Sequence, residues 1–214
     1  MTTLLAVAHG TRSAAGQAQI RALAAAVAHR RPGLDVRLCY ADVQQPRIGA
    51  VVTDGMVVVP LLLSAGYHVR VDIARAAAGT GAVVARPLGP DPVLVDSLRR
   101  RLPESDAVVL AAAGSSEAAW RAGVGAVAAD LGAHVAYAAG AQRRVPDVVA
   151  DLRRRGAERI AVAAYLLAEG RFYRSLHTAG AGTVTAPLGQ DPAVADLVLR
   201  RFDAARLTMA PSAL

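Results

Sequence analysis

The chain has 214 residues, 54% of them hydrophobic and 19% charged, with a net charge of +7, so it carries enough apolar residues for a packed core and is not a disordered segment. Every basic residue is arginine, but the arginines fall singly or in short runs, such as Arg30-Arg31, Arg99–Arg101 and Arg153–Arg155, near the ends of expected helices, where cations suit the dipole. No basic stripe with interleaved aromatics is present, which disfavours a nucleic-acid groove and leaves a small polyacid as the anionic partner.

The single cysteine, Cys39, excludes an intrachain disulfide and a cysteine-based zinc site, and inside an apolar run it reads as a core residue. No apolar run approaches the roughly 20 residues of a membrane span. No basic segment precedes the short apolar run at the N-terminus, so no signal peptide is expected and the default compartment is the cytoplasm.

Along the chain, short apolar runs alternate with helical patterns. Thr3–Ala8 reads as a buried strand. Ser13–Arg31 reads as a helix capped by Ser13 and stopped by Pro32-Gly33. Asp35–Tyr40 is a second strand, Pro46–Thr53 a short helix, and Met56–Leu63 a strongly apolar third strand. Val69–Ala78 is helical, Ala82–Arg86 a strand, and Asp91–Leu102 a helix with an early proline. The order then recurs: strands at Ala107–Ala112, Ala133–Ala138, Arg159–Leu167 and Thr183–Ala186, with helices at Ser115–Leu131, Pro146–Arg155, Phe172–Ala179 and Asp191–Ala205. Continuous apolar strands between helices indicate parallel sheets covered on both faces.

The recurrence is an internal repeat of about half the chain. Arg86-Pro-Leu-Gly-Pro-Asp-Pro92 matches Ala186-Pro-Leu-Gly-Gln-Asp-Pro192, and Pro60-Leu-Leu-Leu-Ser-Ala-Gly66 matches Tyr165-Leu-Leu-Ala-Glu-Gly170. The expected fold is α/β, with two repeated parallel-sheet lobes, residues 1–103 and 104–214, facing a central cleft. Ligands in such sheets sit beyond the carboxyl ends of the strands.

Two histidines stand at those ends. His9-Gly10-Thr11-Arg12 follows the first strand and Gly66-Tyr67-His68-Val69-Arg70 the third. His9 and His68 are 59 residues apart, and so are Ala113 and Phe172 in the second lobe. One lobe therefore has a pair of imidazoles and the other does not. Neutral imidazole binds divalent metals and accepts protons near neutral pH. A lone histidine after an apolar strand is more often a core residue, and the pair at matching turns is what weighs against that. His29, His134 and His177 lack partners and read as surface or packing residues. Phosphate and nucleophile motifs are absent: Gly123 and Gly125 lie within an expected helix, and Gly114-Ser115-Ser116 has no accompanying base pattern.

The segments His-Gly-Thr-Arg at 9–12 and Pro-Leu-Leu-Leu-Ser-Ala-Gly-Tyr-His-Val-Arg-Val-Asp-Ile at 60–73 resemble the sirohydrochlorin chelatases, the CbiX/SirB group of class II chelatases, over nearly the whole chain. The resemblance implies ATP-independent insertion of Co²⁺ or Fe²⁺ into sirohydrochlorin, a tetrapyrrole rich in carboxylates, for cobalamin or siroheme synthesis. It places the catalytic and metal-binding histidines at His9 and His68 and an acidic metal partner at Asp42, where the family usually has Glu. It implies no permanently bound cofactor, the divalent metal being a substrate. The partners are then the tetrapyrrole and the metal ion, with no nucleic acid or membrane, and the chain acts as a monomer with pseudo-twofold lobes. Arg12, Arg47, Arg70, Arg171 and Arg174 are candidates for the tetrapyrrole carboxylates, and Tyr67 and Phe172 for packing against the ring. Since both histidines must be neutral to work, activity is expected to fall below about pH 6.5. Nickel insertion into a related tetrapyrrole, a carrier without turnover, and a non-catalytic interaction protein are the alternatives.

Overall fold

The structure, a computed structural model, describes residues 2–63, 67–140 and 143–209; of residues 67–70 it describes the backbone only. The first half contains strands β1 (Thr3–Ala8), β2 (Val36–Tyr40), β3 (Met56–Pro60) and β4 (Val83–Val84), with helices α1 (Ala14–Arg30), α2 (Tyr67–Ala77) and α3 (Pro92–Arg101). The second half repeats them as β5 (Ala107–Ala112), β6 (His134–Tyr137), β7 (Ile160–Ala164) and β8 (Thr183–Val184), with α4 (Ala118–Leu131), α5 (Val145–Arg154), α6 (Arg171–Leu176) and α7 (Pro192–Arg206). Each half forms a four-stranded parallel sheet, in the order β2-β1-β3-β4 and β6-β5-β7-β8.

Local chemistry sets three of the helix starts. Ser13 caps α1 by accepting from the Gly16 N–H, and Asp91 and Asp191 cap α3 and α7 ahead of a first-turn proline. Strands β3 and β7 end three residues earlier than the sequence predicts, at Pro60 and Ala164, and three further differences have a local cause. Only a single 3-10 turn forms at Ile48–Ala50 where a helix over Pro46–Thr53 is expected, because the segment is short and ends in β-branched Val51, Val52 and Thr53. Helix α4 starts three residues late, since Ser115 Oγ accepts from the Glu117 N–H at 3.1 Å and holds that stretch in a turn. Strand β4 stops at Val84, two residues short, because it is an edge strand approaching Pro87, which has no donor for a ladder.

Alternating residues of β1 divide the core. Leu4, Ala6 and Ala8 face one cluster with Ile20, Leu23 and Val27 of α1. Leu5 and Val7 face another with Ile73 and Ala77 of α2. Helices α1 and α2 thus lie on opposite faces of the first sheet, which leaves a crevice between the carboxyl ends of β1 and β3. The cluster on the α1 face runs on through α3, α4 and α7 to Leu110, Ala112 and Ala163 of the second sheet and to Tyr165 just beyond β7. One continuous apolar layer therefore joins the two sheets.

Within that layer α7, the last helix of the second half, packs on β3 and β4 of the first sheet and against α1. Its N-cap, Asp191, receives the Ser97 hydroxyl and the guanidinium groups of Arg100 and Arg101 from α3. Reciprocally, the N-cap of α3, Asp91, pairs with Arg200 and Arg201 of α7, at 3.3 and 2.8 Å. Arg101 also donates to the carbonyls of Ala186 and Pro187, and Arg201 to those of Pro87 and Leu88. The repeated Pro-Leu-Gly-x-Asp-Pro segments thus serve as two halves of one twofold latch.

Candidate functional site

His9 is the first residue after β1, exposed, and its carbonyl accepts the Asp42 N–H at 2.9 Å. Asp42 is the second residue after β2, so parallel pairing of β1 with β2 brings the two strand-end turns side by side. Gly10 makes that approach possible. It has φ +96°, and a Cβ there would lie 2.2 Å from the Asp42 carbonyl oxygen. Thr11 N–H donates to Gln44 Oε1 at 3.0 Å, closing the two turns on each other.

The Asp42 carboxyl is held below its ordinary range by the Val43 backbone N–H and the Arg47 guanidinium, with a further contribution from the charge of nearby His9. Arg47 sits 2.7 Å from Asp42 and also donates to the Ala41 carbonyl. Between them, Val43 is 43% exposed and has φ 64°, a left-handed backbone that is strained for a β-branched residue. The corresponding position in the second lobe is Gly140, at φ 94°.

His68 is the second residue of α2, just beyond β3, and Arg70 follows one half-turn on. Both side chains, and that of Tyr67, lie outside the described residues. On the backbone, the elements bearing His9 and His68 flank the crevice where the connections of β1 and β3 diverge. Arg12 is exposed on the loop entering α1. Arg171 and Arg174 are exposed on α6, and Phe172 is 39% exposed beside them.

The strand-end loops of the two lobes touch. Gln19 Nε2 donates to Glu169 Oε1 at 2.8 Å, and the Glu169 N–H donates to Gln19 Oε1 at 2.7 Å. Gly16 of α1 abuts the Glu169 carbonyl, and Gly170 lies against the Thr11 side chain. The Tyr165 hydroxyl donates to the Leu63 carbonyl at 2.9 Å. The ends carrying His9 and Arg171 therefore border one shared region.

Among the described residues, no three His, Cys, Asp or Glu side chains converge into a metal-binding group. Cys39 is fully buried in β2, and desolvation pushes its thiol up to about 12, so it stays a protonated core side chain. His29, His134 and His177 are exposed; His177 packs edge-on against Tyr173. No helix among the described residues is long and apolar enough to cross a membrane.

Sequence reading alone did not single out Arg144. It follows β6 as Arg47 follows β2, each bridging the tyrosine at the end of its strand. A signal for it exists in the shared pattern Tyr-Ala-x-x-x-Gln-x-Arg at 40–47 and 137–144.

Two parallel α/β lobes with a strand-end histidine and carboxylate in one of them define a two-lobed, chelatase-like class of protein. The family model for CbiX matches residues 3–105 and again 107–205, so the chain belongs to the CbiX family and contains two copies of its unit. Among solved structures it is similar to SirB from Bacillus subtilis with Fe³⁺, at 20% identity and a TM-score of 0.74, covering 96% of each chain. SirB from Bacillus subtilis subspecies spizizenii in complex with cobalt is similar at 21% identity and a TM-score of 0.72, covering 97% of this chain and 96% of the other. A CbiX described as the terminal enzyme for biosynthesis of siroheme in denitrifying bacteria gives 22% identity and a TM-score of 0.73, over 95% of this chain and 99% of that one. These likenesses concern the fold. Comparison with the curated proteins gives no match.

Proposed function

We propose that the protein is a sirohydrochlorin chelatase that inserts a divalent metal, Co²⁺ or Fe²⁺, into the macrocycle without ATP, in the cytoplasm, for cobalamin or siroheme synthesis. The observation that carries this reading is the pairing of His9 with an ionised Asp42 at adjacent strand ends, in a CbiX-family chain whose second lobe has alanines there. The family's structural relatives include one with Fe³⁺ and one in complex with cobalt, which supports metal as a substrate.

The chemistry asked of the site is modest. Two pyrrole N–H protons must leave as the metal enters. Asp42 supplies a carboxylate that Arg47 and the Val43 N–H keep ionised, and a lasting negative charge attracts the incoming cation. His9, exposed at the end of a rigid buried strand, can hold the metal in passing or accept one proton, provided its imidazole is neutral. In this reading His68 is the second such imidazole, on the opposite flank of the crevice. A site with few, partly exposed ligands suits a metal that must move on, because a closed cage would retain it.

The test is an absorbance assay of sirohydrochlorin with Co²⁺, Fe²⁺ or Ni²⁺, comparing wild type with His9→Ala, His68→Ala and Asp42→Ala. Wild type should turn over many times, with each histidine variant losing about two orders of magnitude and Asp42→Ala losing less. Full rates in both histidine variants would refute the reading. Stoichiometric retention of metal or pigment without turnover would make the protein a carrier.

A further inference from the structure

The second lobe contains a copy of the metal-site scaffold with its metal-binding side chains replaced. Tyr40 N–H donates to the Pro46 carbonyl and Tyr137 N–H to the Arg143 carbonyl, both at 3.0 Å. Each tyrosine bridges to an arginine one residue further on, Arg47 or Arg144. Each arginine donates to the carbonyl of the alanine after the tyrosine, Ala41 or Ala138. Gly10 approaches the Asp42 carbonyl, and Gly114, at φ +112°, approaches the Ala139 carbonyl by the same 2.2 Å. Ala139 therefore stands where Asp42 stands, Ala113 where His9 stands, and Phe172, second residue of α6, where His68 stands in α2.

The arginine survives while its acid is gone. Arg47 is neutralised by Asp42. Arg144 faces alanine at that position and has no carboxylate partner among the described residues. Around it lies a cavity of about 400 Å³, lined by Ala138, Ala139, Arg144, Arg171, Phe172 and Ser175. Among the described residues, two guanidinium groups and no acid line its walls. Ala138 and Ala139 leave room, the Ser175 hydroxyl points back to the Phe172 carbonyl, and Phe172 offers an exposed aromatic face. Paired guanidinium groups fit a planar carboxylate, and the phenyl face fits a flat apolar ring carrying it.

We propose that this cavity is a carboxylate subsite, in which Arg144 and Arg171 anchor an acidic side chain of the macrocycle while Phe172 lies against the ring. The proposal rests on the chelatase reading for the identity of the ligand. The repeated scaffold would then have been divided between two tasks, with metal handled at the first copy and the anionic rim of the substrate at the second.

The experiment has two readouts. Fluorescence titration with metal-free sirohydrochlorin is run on wild type, Arg144→Gln, Arg171→Gln and Ala139→Asp, with Arg155→Gln as an equal loss of charge outside the cavity. Steady-state kinetics with Co²⁺ follow on the same proteins. Each arginine variant should bind sirohydrochlorin about tenfold more weakly, the cost of one charge-assisted contact, and raise KM for the pigment more than it lowers kcat. Ala139→Asp, which restores the carboxylate of the first lobe, should pair with Arg144 and weaken binding at least as much. Arg155→Gln should match wild type. Wild-type binding by Arg144→Gln and Arg171→Gln would overturn the subsite, whether or not the protein proves to be a chelatase. If wild type binds sirohydrochlorin but does not metallate it, the subsite stands when the arginine variants lose binding, and only the chelatase reading falls. If wild type binds no sirohydrochlorin, both fall. Inorganic phosphate competing in wild type alone, with pigment binding unchanged in the variants, would make the cavity an inorganic-anion site and overturn the proposal.

Discussion

Gly16→Ala offers a sharp test of how the lobes are held. Alanine in a helix is ordinarily about 1 kcal/mol better than glycine, so local propensity alone predicts a gain. Gly16 is buried in the first turn of α1, and a Cβ there would lie 2.0 Å from the Glu169 carbonyl oxygen and 3.0 Å from Thr11 Cγ2. Non-bonded carbons rest about 3.5–4.0 Å apart, so the loop at Glu169 must retreat by more than 1 Å. That retreat breaks the paired Gln19–Glu169 hydrogen bonds, at about 1 kcal/mol each, and adds overpacking of about 1–3 kcal/mol. Against the propensity gain, a net loss of about 2–4 kcal/mol remains, which lowers Tm by roughly 4–16 °C for a chain of this size. Gly125→Ala is the matched control. It too is helical, in α4, but a Cβ there meets nothing within 4 Å, so it should stabilise by up to about 1 kcal/mol. Thermal and urea unfolding of both variants decides the matter. A stabilised Gly16→Ala, alongside a stabilised Gly125→Ala, would refute the close approach of the lobes.

The same reasoning reaches other positions. Gly10→Ala combines a φ of +96° with a Cβ only 2.2 Å from the Asp42 carbonyl; it should cost about 2–4 kcal/mol in urea unfolding and separate the His9 and Asp42 turns. Val43→Gly relieves the left-handed strain that the second lobe avoids with Gly140 and should stabilise by about 0.5–1 kcal/mol; a loss of stability would show that Val43 is held by contacts rather than strained. Asp191 is a case for pH. Burial alone would raise its carboxyl, but the Ser97 hydroxyl, the Ala193 N–H and the Arg101 and Arg100 charges outweigh it and leave it lowered. A carboxyl whose folded value is depressed contributes stability that is present above its unfolded value of about 3.9 and is lost as pH falls through the folded one. Asp191→Asn should therefore cost about 3 kcal/mol at neutral pH and progressively less below about pH 4; a cost that does not change with pH would refute the latch as an ionic one.

Much of this architecture was legible in the chain itself. Apolar runs such as Thr3–Ala8 have no polar face, so burial on both sides, and hence a parallel sheet, follows from composition. Ser13, Asp91 and Asp191 mark helix starts because their side chains satisfy local N–H groups, a short-range effect. The two Pro-Leu-Gly-x-Asp-Pro segments exposed the repeat, and the repeat exposed the asymmetry of His9 and His68 against Ala113 and Phe172. Other features depended on partners far away in sequence. Nothing local to α7 says that it lies on β3 and β4 or that Asp191 takes its counter-charges from α3. Arg47 reads as a free cation until Asp42 is seen 2.7 Å away. The kinship of Arg144 with Arg47 was masked because Arg144 follows Ala113 by 31 residues where Arg47 follows His9 by 38, the shorter helix α4 accounting for part of the difference. Periodicity and capping act over a few residues and survive in the sequence. Which charge meets which, and which arginine is left without an acid, is set by packing between elements that the chain order keeps apart.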